Sequence, residues 1–175
     1  MNNAYLPVIV IAVIGALLFA LFFNRGPTIV KGYEAGGTAR SAWDYAGAHG
    51  PVLTVIHGNP FAVGDEAFQR QVLELLERSV AARVTRYTAD ASQAFQPKTR
   101  VVLVFDAPPA TDGNAICAGR IPQSAPGDKL VMHMVLCSED RLLSEVGGHM
   151  ARVDNPDHPL FFDLISLSLR TLINA

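Results

Sequence analysis

The feature that most constrains this chain is an uncharged apolar run near its N-terminus, from Tyr5 through Phe23. At about 1.5 Å per residue a helix over this run spans roughly 28 Å, close to the hydrocarbon core of a bilayer. A backbone in lipid must satisfy its own hydrogen bonds, and a helix does so. Pro7 falls in the first turn, where its missing N–H costs little. Tyr5 at one end and Phe22, Phe23 and Arg25 at the other suit the two interfaces. A buried core helix is disfavoured because the run is apolar on every face. A cleaved signal peptide is disfavoured because Lys and Arg are missing before the run, which ends in bulky Leu21, Phe22 and Phe23. The expectation is a transmembrane anchor over residues 1–24, with the lipid bilayer as its first partner. Ala12, Gly15 and Ala16 permit close packing against another membrane helix.

The remainder has 14 basic and 16 acidic side chains, a net charge of −2. That balance gives no electrostatic footprint for nucleic acid, so no nucleic-acid partner is expected. Residues 25–50 are punctuated by Gly26, Pro27, Gly32, Gly36, Gly37, Gly47 and Gly50 and hold no persistent period. They read as a linker, and residues 51–175 as one soluble domain.

Within that domain, β-branched residues 52–56 predict a strand. His57, Gly58, Asn59 and Pro60 then supply turn chemistry. Phe68, Val72, Leu75 and Leu76 recur at helical spacing and predict a helix over 65–82. Residues 83–88 alternate as a second strand, and 99–105 read as a strand buried on both faces. Residues 114–120 and 129–137 read as strands joined by a loop rich in Pro122, Pro126 and Gly127. Ser138 followed by acidic residues has the form of an N-cap, predicting a helix over 139–152 that Gly147 and Gly148 weaken. A final helix is expected over 159–174. The fold class is therefore α+β: one N-terminal transmembrane helix, then a mixed or antiparallel sheet with helices packed on one face.

The only cysteines, Cys117 and Cys137, are expected to form a disulfide, which requires an oxidising compartment. A symmetric hairpin across residues 122–128 would place Cys117 near His133 instead. The bond therefore needs a bulge, a shifted register or another strand order. The basic residues Arg25, Lys31 and Arg40 follow the apolar run, which by the positive-inside rule points the domain inward. The cysteines point it outward, and the outward reading is preferred.

The five histidines, His49, His57, His133, His149 and His158, show no metal spacing. No P-loop, nucleophile-elbow or dinucleotide glycine pattern occurs. No catalytic, cofactor-binding or metal residue is assigned, and no cofactor is expected. His133, in mid-strand, reads as a core residue, and His57 as part of a turn. The segments Val55–Phe61, Val101–Phe105 and Ile116–Gly119 resemble small envelope proteins of proteobacteria of the lipoprotein-like kind, which have no assigned activity. This chain lacks their lipid-bearing cysteine. The resemblance implies an outward-facing domain.

The expected function is a single-pass accessory or interaction protein of the bacterial inner membrane. Its soluble domain faces the periplasm, and the small residues of its helix suit a subunit of a larger integral membrane complex, without catalytic activity. One alternative is a tethered hydrolase using His57 or His149 with a nearby Asp. The other is a ligand-binding domain, for which an apolar pocket is the discriminator.

Overall fold

The computed structural model describes residues 26–80 and 85–173. Six strands and four helices follow one another along the described chain, with two pairs of consecutive strands. The strands are β1 (Thr28–Glu34), β2 (Val52–His57), β3 (Tyr87–Thr88), β4 (Thr99–Phe105), β5 (Lys129–Ser138) and β6 (Arg141–Ala151). The helices are α1 (Thr38–His49), α2 (Asp65–Ser79), α3 (Gly113–Cys117) and α4 (Pro159–Ile173). They build one mixed sheet in the order β1-β6-β5-β4-β2-β3. β3, β2 and β4 run parallel, and β5, β6 and β1 alternate antiparallel from there.

Strand alternation sorts the side chains into two clusters. On one face Val101, Leu103 and Phe105 of β4 join Leu130, Met132, Met134 and Leu136 of β5, and Val146 and Met150 of β6. Trp43 of α1, Phe68, Val72 and Leu76 of α2, and Phe161, Leu164, Leu169 and Leu172 of α4 cover them. Phe61, Phe68, Phe105 and Phe161 form an aromatic knot with centroids 5.0–6.1 Å apart. Trp43 donates its indole N–H to the Tyr87 hydroxyl at 3.3 Å, and burial pushes that phenol's pKa up. On the other face Val102, Val104, Val135 and Leu142 pack under Ile116 and Cys117.

Several expectations are corrected. Among the described residues no helix is long and apolar enough to cross a membrane. The longest, α2 and α4, have 15 residues each. That is about 22 Å of helix, short of a bilayer's ~30 Å apolar core. The run 5–23, with Ala12, Gly15 and Ala16, lies outside the described residues. The fold class is therefore an α+β domain with a six-stranded mixed sheet. Nor do all helices share one face, because α3 packs on the side opposite α1, α2 and α4.

Residues 28–49 are not a linker. β1 pairs with β6, and α1 buries Ala39, Trp43 and Ala46. Gly36 and Gly37, both at positive φ, make the turn between them. Residues 139–152 are not a helix. Glu139, at φ 54°, turns the chain back, and β6 lies along β5 from Ser138↔Arg141 to Lys129↔Ala151. Residues 114–117 belong to a short helix rather than a strand, capped by Asp112, whose carboxylate accepts from the Asn114 N–H at 2.9 Å. Of the strand expected over 83–88, only Tyr87 and Thr88 are in β3, and residues 81–84 lie outside the described residues.

The expected disulfide is present. Cys117 and Cys137 are bonded, with Cα atoms 5.5 Å apart. The hairpin objection disappears because Cys117 ends a helix that lies over β5 and is not on a strand facing it. Both cysteines are fully buried. The bond closes a loop of sequence separation 20, for which chain entropy gives about 3 kcal/mol. Replacing both cysteines by Ala is expected to lower unfolding free energy by about 2–4 kcal/mol in urea titration, with the far-ultraviolet spectrum retained because the helix-covered core is untouched.

Candidate functional site

α3 and the loop before it cover only part of the second sheet face. Over β5, β6 and β1 that face is open, and an apolar trough of about 420 Å³ lies there. Its floor follows from register. On β5 the trough-facing residues are Lys129, Val131 and His133; on β6 they are Glu145, Gly147 and His149. Val131 stands opposite His149, and His133 opposite Gly147. Val30 of β1 lies beyond Gly147. Ala107, Pro108 and Pro109, which follow β4, form the opposite wall. The space exists because Gly147 occupies a position where a strand normally projects a side chain. A Cβ built on Gly147 meets only the Val30 carbonyl oxygen, at 4.0 Å.

Glu145 is the fixed polar group. Between Lys31↔Val146 and Glu34↔Ser144 the β1–β6 register slips, so Gly32 and Tyr33 both stand opposite Glu145. The Tyr33 N–H therefore donates to Glu145 Oε1 at 3.2 Å. Glu145 Oε2 lies 3.4 Å from His133 Nε2, with the two side chains 21 % and 17 % exposed. A Cβ on Gly32 would come within 2.5 Å of Glu145 Cγ, and one on Gly113 would overlap Oε2. These two glycines admit the carboxylate.

The wall is held by Asp106, at φ 50° immediately after β4. Its N–H donates to the Val131 carbonyl at 2.7 Å, and its own carbonyl accepts from the Ala125 N–H at 2.8 Å. Its buried carboxylate accepts from Arg152 Nη2 at 2.8 Å. Arg152 also donates to the carbonyls of Gly127 and Lys129, at 3.0 and 3.3 Å. One guanidinium thus fixes the end of β4, the 121–128 loop and the start of β5.

The residues singled out as possible acids and bases are scattered. His57 on β2 and His149 on β6 are three strand spacings apart, about 14 Å. Among the described residues neither has a hydrogen-bonded carboxylate. His57 is half-buried, and burial pushes its pKa down. His158 Nδ1 accepts from the Leu160 N–H at the start of α4, and His49 Nδ1 contacts the Tyr45 carbonyl. Asn59 bonds Val63 and Asp65 within its own turn, beside a smaller hollow of about 250 Å³ edged by Asp65 and Glu66. Among the described residues no three His, Cys, Asp or Glu side chains are grouped to hold a metal ion.

The sequence puts His133 in the core, yet it faces the trough beside Glu145. The pairing escapes sequence reasoning because a helix over 139–152 puts Glu145 on no face shared with β5. The signal was the alternation of Glu145, Gly147 and His149 against Val146, Gly148 and Met150.

Two outcomes follow. Asp106→Ala is expected to destabilise by about 2–4 kcal/mol, because it strands Arg152 and strains an alanine at positive φ. Asp106→Asn, which tolerates that backbone, is expected to cost less, as read by chemical denaturation. Because the folded state resists protonating His57, unfolding free energy is expected to fall as pH drops below the ordinary histidine pKa of about 6.5. His57→Gln should reduce the difference in stability between pH 7.5 and 5.5; an unchanged difference would contradict that assignment.

Comparison with known proteins supplies no relative: no family model, no curated protein and no solved structure matches this chain.

Proposed function

We propose that this chain is a non-catalytic binding domain that holds a small apolar molecule in the trough, in an oxidising compartment of the cell envelope. The observation that carries the reading is the open apolar space over Gly147, within the size range of small-molecule sites. Its lining contains no serine, threonine or cysteine to act as a nucleophile. The outer nitrogen of His133 is turned to Glu145, away from any group it would activate. Both facts favour binding over hydrolysis. The buried disulfide supports the oxidising compartment, in agreement with the envelope-protein resemblance.

The test is steric. Gly147→Val projects a side chain into the trough where a Cβ meets only the Val30 carbonyl oxygen, at 4.0 Å, and valine suits a strand. It is expected to abolish saturable fluorescence enhancement of the neutral apolar probe N-phenylnaphthylamine while the thermal midpoint holds or rises. Gly148→Val is the contrast. Its Cβ would lie 2.8 Å from Leu164 Cδ1 and 3.2 Å from Ile29 Cδ1, so it should destabilise by about 1–3 kcal/mol. Undiminished probe binding by Gly147→Val would overturn the proposal.

A further inference from the structure

The two ends of the trough differ in charge. At the end where β5 begins, Lys129 and His149 stand diagonally across the β5–β6 ladder. Among the described residues the Lys129 ammonium has no carboxylate partner and the His149 ring no hydrogen bond. The neighbouring charges are accounted for: Arg152 is paired with Asp106 and bonded to two carbonyls, and Asp106 faces Arg152. Asp128 precedes Lys129 on the exposed loop and lines no part of the trough. At the other end both oxygens of Glu145 are engaged: Oε1 accepts from the Tyr33 N–H, and Oε2 lies 3.4 Å from His133 Nε2. Between the ends the surface is apolar, with Val30, Val131, Ala107, Pro108 and Pro109 around the bare backbone of Gly147.

Resting on the binding reading above, we infer that the ligand is a free apolar monocarboxylic acid. Its carboxylate lies at Lys129 and His149, and its hydrocarbon body runs over Gly147 toward His133. The unpaired ammonium offers an anion a charge-assisted contact that no group of the protein already supplies. The far end offers a second anion nothing, because a carboxyl side chain, Glu145, already occupies it and takes up the Tyr33 N–H. A dicarboxylate is therefore disfavoured. A cationic amphiphile is disfavoured as well: Lys129 repels it at one end, and Glu145 is already bonded at the other.

The experiment titrates the full chain with octanoate, octanol, octylammonium and the dicarboxylate suberate, reading displacement of N-phenylnaphthylamine. Octanoate is expected to bind about tenfold tighter than octanol, the value of one charge-assisted contact at a partly exposed site. Suberate and octylammonium should bind more weakly than octanoate. In Lys129→Gln the octanoate affinity should drop to that of octanol in the same variant. The Lys129 side chain is exposed and its backbone carbonyl, which Arg152 uses, is unchanged, so folding is preserved. Equal affinities of octanoate and octanol for the unmodified protein would overturn the carboxylate assignment and leave the binding reading standing. Tighter binding of octylammonium would overturn it by reversing the polarity. Failure of every probe to bind, N-phenylnaphthylamine included, would remove the binding reading and this inference together.

Discussion

Side chains along β5 alternate between two environments, and each feature of the molecule draws on one of the two rows. Leu130, Met132, Met134 and Leu136 point into the helix-covered core and are fully buried. The other row changes character along its length. Lys129, Val131 and His133 floor the trough, while Val135 and Cys137 lie under α3. A slip of one residue would send the four large apolar side chains to the open face and the polar ones into the core. Pairing with β4 from Phe105↔Met132 to Thr99↔Ser138 fixes that register, and the disulfide to α3 marks its far end.

The two faces are held by different means. The helix face depends on area: three long helices and an aromatic knot exclude water over most of the sheet. The opposite face has too little apolar surface for that. A five-residue helix cannot sustain itself by burial or by its own hydrogen bonds. It is held by the Asp112 cap, by Arg100, which donates to the Cys117 carbonyl at 2.7 Å, and by the covalent link to β5. Leaving part of this face uncovered is what keeps the trough open.

Strongly periodic segments were legible in the sequence. The strands at 52–57 and 99–105 and the helices at 65–79 and 159–173 fall close to where hydrophobic spacing puts them. What misled were segments whose structure depends on a distant partner. β1 is largely exposed and shows no period of its own, and only β6 makes it a strand. β6 was concealed by Ser138 and the acidic residues after it, which imitate a helix start, whereas Glu139 adopts the left-handed turn of a hairpin. The chemistry of the site was hidden for the same reason. Glu145, Gly147 and His133 lie on strands whose mutual register is a tertiary fact. The disulfide is readable from cysteine count and compartment logic, but its geometry is not, because local sequence suggests a strand where α3 stands.

The slipped register opposite Glu145 also bears on how the molecule behaves in a crowded solution. β1 ends the sheet, so its outer row of amides and carbonyls is a template on which another chain could extend the ladder. The bulge at Gly32 and Tyr33 breaks that template after Lys31. Lys31, ion-paired with Glu34 at 2.6 Å, sets charge against the remaining regular stretch. The bulge that seats the Glu145 carboxylate at one end of the trough thereby also blunts the sheet's edge against aggregation.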